Sequence, residues 1–193
     1  FNEMAGRISE SRLRLEEAHD DLARSNRDLT DANRTLETLA ITDGLTGLYN
    51  RRHFQDVLER ELARCLRDGK ALSLLMCDLD RFKAYNDRFG HPEGDALLRR
   101  VATLVTKSIR HSDMAFRYGG EELAVLLPAC SKPQARQVAE KVRLAVRGAQ
   151  DERVARFRGV TTISIGVATF PEDGRVARGL VDVADAALYA AKA

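Results

Sequence analysis

The chain has 193 residues, 44% apolar and 31% charged, enough for one domain with a sizeable core plus an extension. No run approaches the roughly 18 apolar residues of a membrane span, no signal-peptide pattern is present, and Cys65, Cys77 and Cys130 lack the spacing of a disulfide framework or zinc site, so a reduced, cytoplasmic protein is predicted. Net charge is +2, but residues 1–40 hold 6 Lys/Arg against 9 Asp/Glu and the remainder 25 against 20, an excess of +5 that suits a small phosphate-rich ligand and is too scattered for a nucleic-acid track.

Phe1, Ile8, Leu15, Leu22, Leu29 and Leu36 recur every seven residues. Met4, Ser11, Ala18, Ser25, Ala32 and Leu39 follow three places after each, so the two sets fill the a and d positions of a heptad. Without Pro, and with Gly6 alone near its start, residues 1–41 can form one long helix. The stripe reads either as a parallel two-stranded coiled coil that makes a homodimer or as a lone amphipathic helix on its own domain; its narrow width favours the first. Ser and Ala at d bury little apolar surface, so the zipper is expected to be weak, a linker poised between two packings.

Thr42 to Arg52 carries two Gly and several capping residues and reads as a structured turn, the hinge between coiled coil and a body spanning 42–193, before a helix over 52–67. Ala71 to Cys77 is a continuous apolar run and predicts a strand covered on both faces. It ends in Asp78-Leu79-Asp80, and carboxylates at the end of a buried strand present metal ligands where α/β ligands bind. Asp78, abutting Leu-Leu-Met-Cys, needs a partner, and Mg²⁺ is the economical one. Asp80 reads equally as a second ligand or as the cap of the helix carrying Phe82, Lys83 and Tyr85.

Asn86 to Asp95 is a polar, glycine-bearing turn leading into a helix with Leu97, Leu98, Val101, Leu104 and Val105 on its apolar side. An amide and a carboxylate there can read a purine edge, since a carboxylate accepts from the N1 and N2 hydrogens of guanine. Asp95 reads alternatively as a first-turn acid complementing the helix dipole, and Arg110, at the far end, as a C-terminal complement of the same dipole. Asp113 to Phe116 and Leu123 to Leu127 read as short strands around Arg117-Tyr-Gly-Gly-Glu-Glu122, and a Gly pair between strands is a hairpin signal. Two acids after two glycines then sit at a hairpin tip, suited to holding metal beside a nucleotide. A helix over 132–147, strands within 160–170 and a last helix carrying Leu180, Val183, Ala184, Ala187 and Leu188 complete the order. The fold class is α+β, a central mostly antiparallel sheet flanked by helices, ferredoxin-like or polymerase-palm-like.

Seven motifs occur in order: Asp43-Gly-Leu-Thr-Gly-Leu-Tyr-Asn-Arg-Arg52, Asp78-Leu-Asp-Arg-Phe-Lys83, Asn86-Asp87, Gly90-His-Pro-Glu-Gly-Asp95, Arg117 to Glu122, Ser164-Ile-Gly-Val-Ala168 and Ala184-Asp-Ala-Ala-Leu-Tyr-Ala-Ala-Lys192. With them the body resembles a GGDEF-type diguanylate cyclase. The resemblance implies condensation of two GTP into cyclic di-GMP with release of two pyrophosphates, each domain binding one GTP and supplying half the site. It implies Mg²⁺, with Mn²⁺ as a substitute, on Asp78, the Leu79 carbonyl and Glu121. Asn86 and Asp95 would read guanine with His91 nearby, Lys83 and Lys192 would contact phosphates, and Gly119 and Gly120 would let backbone approach the nucleotide. Glu121 or Glu122 would help deprotonate the attacking hydroxyl, and Arg110 with Asp113 fall at the spacing of the product-binding inhibitory site. The other reading is a catalytically silent module that binds GTP or cyclic di-GMP and signals through a partner.

Leu123 departs from the Phe usual in this family, and the chain stops at Ala193, before the Gly-Arg-Asn that often follows the terminal Lys. Phe1 to Ala5 also resembles the closing helix of HAMP signalling modules, and the start at Phe1 predicts an excised fragment. That resemblance implies an inner-membrane bacterial receptor as the parent, with no direct membrane contact in this stretch.

Overall fold

The computed structural model describes residues 24–26, 40–148 and 162–192. The chain divides into two units, Phe1–Ala40 and Ile41–Ala193. Most of the predicted coiled coil lies outside the described residues; Arg24, Ser25 and Asn26 are helical and exposed.

The second unit runs β1 (Tyr49–Asn50), α1 (Arg51–Asp68), β2 (Leu72–Leu79), α2 (Phe82–Phe89), α3 (His91–Ser108), β3 (Met114–Arg117), β4 (Glu122–Pro128), α4 (Lys132–Gly148), β5 (Ile163–Phe170) and α5 (Ala177–Lys192). The sheet order is β1-β3-β4-β2-β5, with β1 parallel to β3 and the other neighbours antiparallel. This is the mostly antiparallel, helix-flanked α+β sheet that the pattern of elements predicts.

All of β2 is buried because both faces of the sheet are covered. Leu72, Leu74 and Met76 pack with Phe54, Leu58, Leu180 and Ala184 from α1 and α5. Leu75, Cys77 and Leu79 point the other way, to Leu98, Val101, Val105 and Val142 from α3 and α4. Cys77, enclosed in that second core beside Asp78, has its thiol pushed up to about 12, chiefly by burial. Leu123, at the position usually held by Phe, is buried in the same cluster opposite Cys77.

Three expectations change. The polar turn over 86–95 is instead the end of α2 and the start of α3, separated by Gly90 alone. Gly90 takes φ 85°, its N–H closes α2 on the Asn86 carbonyl at 2.8 Å, and Pro92 sits in the first turn of α3, so the loop-like composition marks two helix ends rather than a loop. Asp80 does not cap α2; the residue before that helix is Arg81, in the left-handed region at φ 57°. The Asp80 carboxylate instead accepts from the Thr162 and Ser164 hydroxyls, the latter at 2.7 Å, and its N–H donates to the Thr162 carbonyl at 3.0 Å, tying the β2–α2 turn to the start of β5. Arg110 lies beyond α3, whose last turn carries Lys107 as its basic residue.

Gly166 sets the depth at which α5 lies on the sheet. A Cβ there would collide with the Ala184 carbonyl and the Leu188 N–H and lie 3.0 Å from the Leu188 Cα, so helix backbone rests directly on β5.

Candidate active site

The C-terminal end of β2 and the N-terminal end of β4 bring two carboxylates together, with Asp78 paired opposite Glu122 in the antiparallel register. The hairpin turn folds back on Glu122, whose carbonyl accepts from Tyr118 N at 2.8 Å and Gly119 N at 3.1 Å. A Cβ on Gly119 would run into the Glu122 carboxylate, so the missing side chain at 119 makes room for that acid. Around Gly120 the space is open.

Negative charge accumulates here. Burial raises the Glu122 carboxyl above its ordinary range, and the charges of Asp78, Asp185 and Glu121 push the same way, against the opposing pull of Lys192. Asp185, on α5, is itself raised by burial and by Asp182, with Arg51 opposing. Lys192 Nζ lies 2.6 Å from Asp78 Oδ1. The carboxylate oxygens of Asp78 and Glu122 are donors of the kind that suits Mg²⁺, which takes one or two carboxylates and completes its shell with water and substrate phosphate. Among the described residues, no three His, Cys, Asp or Glu side chains form a metal-binding group by themselves.

Beside this end of the sheet, Asn86 on α2 faces Gly94 on α3, where a Cβ would clash with the amide oxygen. That Asn86 oxygen is buried without a hydrogen-bond partner, an arrangement that costs free energy until a donor arrives. Asp95 follows Gly94, half-buried, as the fifth residue of α3; Glu93 is the acid in the first turn, so the first-turn reading of Asp95 does not hold. His91 opens α3 and Lys83 lies on α2, both exposed.

Arg110 and Asp113 are held apart from this cluster by the length of β3, about 13 Å for a four-residue strand. The Asp113 carboxylate accepts from Arg110 N at 2.8 Å, and Asp113 N donates to the Arg110 carbonyl at 3.0 Å. Both line a cavity of about 420 Å³ with Thr106, His111, Gly47 and Tyr49.

Sequence reasoning missed the joint between the turn after Thr42 and the hairpin. Arg117 Nη1 lies 3.1 Å from both oxygens of Asp43, while Nε and Nη2 donate to the carbonyls of Gly119 and Gly120 at 2.9–3.2 Å. Asp43 also accepts from Thr46 N at 2.9 Å and Thr46 Oγ1 at 2.7 Å. The Asp-x-x-Thr spacing announces the local turn. Nothing local could name a partner 74 residues away. The Arg51 guanidinium stacks 4.5 Å above the Tyr118 ring, and Phe54 meets that ring edge-on at 5.4 Å, so α1 buttresses the turn from its other side.

This fold, with acids at the hairpin and strand ends, matches a known class. The family model described as "Diguanylate cyclase, GGDEF domain" matches residues 40–193, and the chain belongs to that family. It is 40% identical over 164 residues to the bifunctional diguanylate cyclase/cyclic di-GMP phosphodiesterase MucR of Pseudomonas aeruginosa, covering 85% of this chain and 24% of that protein. It is also 40% identical over 157 residues to the response regulator PleD of Caulobacter vibrioides, covering 80% and 34%. The chain thus spans about a quarter to a third of these curated relatives. Among solved structures, the coiled coil and GGDEF domain of DgcB from Caulobacter crescentus, in complex with c-di-GMP, superposes with a TM-score of 0.82 at 32% identity, covering 92% of this chain and 94% of that one.

Proposed function

We propose that this protein is a diguanylate cyclase that joins two GTP into cyclic di-GMP and releases two pyrophosphates. One observation carries the reading: the Asp78–Glu122 pair at the sheet end, with Lys192 on it, in a chain that also buries an unpartnered Asn86 oxygen. Asn86 accepts a hydrogen from the guanine edge while Asp95 accepts from N1 and N2, donors that adenine does not present together. Lys83 and Lys192 bind phosphate oxygens, and His91 stands at the mouth of the base site.

Mg²⁺, or Mn²⁺ in its place, held by Asp78, the Leu79 carbonyl and Glu121, would supply charge neutralisation at the α-phosphate and the leaving pyrophosphate. One of the two adjacent acids, Glu121 or Glu122, takes the proton of the attacking 3′ hydroxyl. The new bond joins that oxygen to the α-phosphorus of the facing nucleotide, and the bond to pyrophosphate breaks. Gly119 serves this chemistry by leaving space for Glu122, and Gly120 by supplying a carbonyl to Arg117.

Each domain supplies half of the reaction centre, so a homodimer through residues 1–41 raises the effective concentration of the second half. Arg110 and Asp113 form the product-binding brake, an Arg fork and a carboxylate suited to phosphate and guanine edges. No helix among the described residues is long and apolar enough to cross a membrane. We place the chain as a cytoplasmic part of an inner-membrane receptor.

Incubation of the chain with GTP and Mg²⁺, followed by chromatography for cyclic di-GMP, tests the reading, with Glu121→Gln as the inactive control and ATP as competitor. Product formation that ATP does not suppress supports it. Saturable GTP binding without product would instead assign a silent nucleotide-binding module. For the brake, Arg110→Ala should retain turnover and lose inhibition by added cyclic di-GMP; an unchanged inhibition constant refutes that assignment.

A further inference from the structure

We propose that Lys192 is a resident counter-ion on the metal-binding carboxylate, and that it makes the site take its divalent cation together with the nucleotide rather than alone. The proposal rests on the reading of Asp78 as a cation ligand.

The contact is short and lopsided. Lys192 Nζ sits 2.6 Å from Asp78 Oδ1, and the Asp78 side chain is 10% exposed while that of Lys192 is 39% exposed. Asp78 also faces Glu122 across the β2–β4 register, so its charge stands beside another acid in a largely desolvated place. Among the described residues, Lys192 is the one cation in an ion pair with Asp78.

Its backbone is well anchored. Ala184 and Leu188 are buried against the sheet, and Lys192 follows Leu188 by one helical turn. The ammonium can therefore swing on its flexible stem while the helix stays in place.

This geometry makes two loading routes unequal. A free divalent cation must displace the ammonium from Asp78 and leave it in solvent with its ion pair lost. A cation arriving with a triphosphate brings phosphate oxygens to which the ammonium transfers, so Lys192 exchanges one charge-assisted partner for another as Asp78 is released. Lys192 thus acts as a placeholder in the empty site and as a phosphate ligand in the loaded one.

Mn²⁺ binding to the full chain without nucleotide, followed by electron paramagnetic resonance, tests this in Lys192→Met, Lys192→Arg and Asp78→Asn. Removing the placeholder should tighten Mn²⁺ roughly fivefold in Lys192→Met. Lys192→Arg should keep the wild-type affinity. With a non-hydrolysable GTP analogue present, the Lys192→Met gain should vanish or reverse because the phosphate contact is gone. Unchanged or weaker nucleotide-free binding in Lys192→Met, with binding lost in Asp78→Asn, would overturn the counter-ion role alone. A gain that persists in the Lys192→Met, Asp78→Asn double variant would overturn Asp78 as the ligand, and the counter-ion role with it.

Discussion

Cutting the Arg117–Asp43 joint should loosen both the turn over Asp43–Thr46 and the hairpin turn. Arg117 places one nitrogen 3.1 Å from each oxygen of Asp43 and directs two others to the Gly119 and Gly120 carbonyls. The paired side chains are only 19% and 22% exposed. A hydrogen bond to a charged group is worth about 1.5–3 kcal/mol, reduced here because a fifth of each side chain still meets solvent. Arg117→Ala should cost about 2 kcal/mol, Asp43→Asn about 1 kcal/mol, and the pair should couple by about 1 kcal/mol in a double-mutant cycle. With a urea m-value of about 2 kcal/mol/M, the larger loss lowers the unfolding midpoint by about 1 M. Acid gives a second reading of the same contact. Partial burial raises the Asp43 carboxyl, but hydrogen bonds from Thr46 and Arg117, with the Arg117 charge, outweigh burial and hold it below the usual 3.8. Its folded value is thus depressed, so its stabilisation is full above about pH 4 and disappears as pH falls through the folded value; Asp43→Asn should flatten that limb of the stability profile. A coupling energy below about 0.3 kcal/mol, or an unaltered acid limb, would refute the idea that this pair ties the two turns together.

Gly94→Ala should drive a methyl into the Asn86 amide and raise the GTP KM by about tenfold, with a stability loss of about 1–2 kcal/mol; GTP titration and urea melts check both numbers, and an unchanged KM would remove Asn86 from the base site. Gly166→Ala meets helix backbone rather than a movable side chain, so it should cost about 3 kcal/mol and displace α5, visible as a lowered Tm and a loss of turnover as Lys192 is carried away from the nucleotide phosphates. Glu122→Gln should abolish product formation yet stabilise the nucleotide-free protein by about 0.5 kcal/mol, because it relieves a half-buried acid crowded by Asp78 and Asp185; a fall in nucleotide-free Tm would count against that crowding.

The sheet was legible wherever periodicity spoke. The run from Ala71 to Cys77 announced a strand covered on both sides, which the structure gives as Leu72–Leu79, and the Gly pair announced the hairpin between β3 and β4. Composition misled between Asn86 and Asp95, where Gly, Pro and Asn mark two abutting helix ends as readily as they mark a loop. Capping logic nominated Asp80 for α2, whereas its partners Thr162 and Ser164 stand more than 80 residues away, at the start of the neighbouring strand. Arg117 was passed over for the same reason. Its partners at Gly119 and Gly120 are local, but Asp43, through which it reaches the turn before β1, is not. Motif order proposed the acids of the candidate site; only the fold put Lys192 against Asp78 and Asp185 near Glu122.

The double-faced β2 also bears on how the site withstands error. Its alternate residues serve two separate cores, so sliding the strand by one position would send Leu74 and Met76 into the wrong core and unpair Asp78 from Glu122 in the same motion. Misregistered molecules are thereby unstable before they are inactive. A preparation should contain working copies and unfolded ones, with few folded but crippled intermediates between them. Drift in the strand's apolar residues should accordingly show itself in yield and melting temperature, leaving turnover per folded molecule nearly constant.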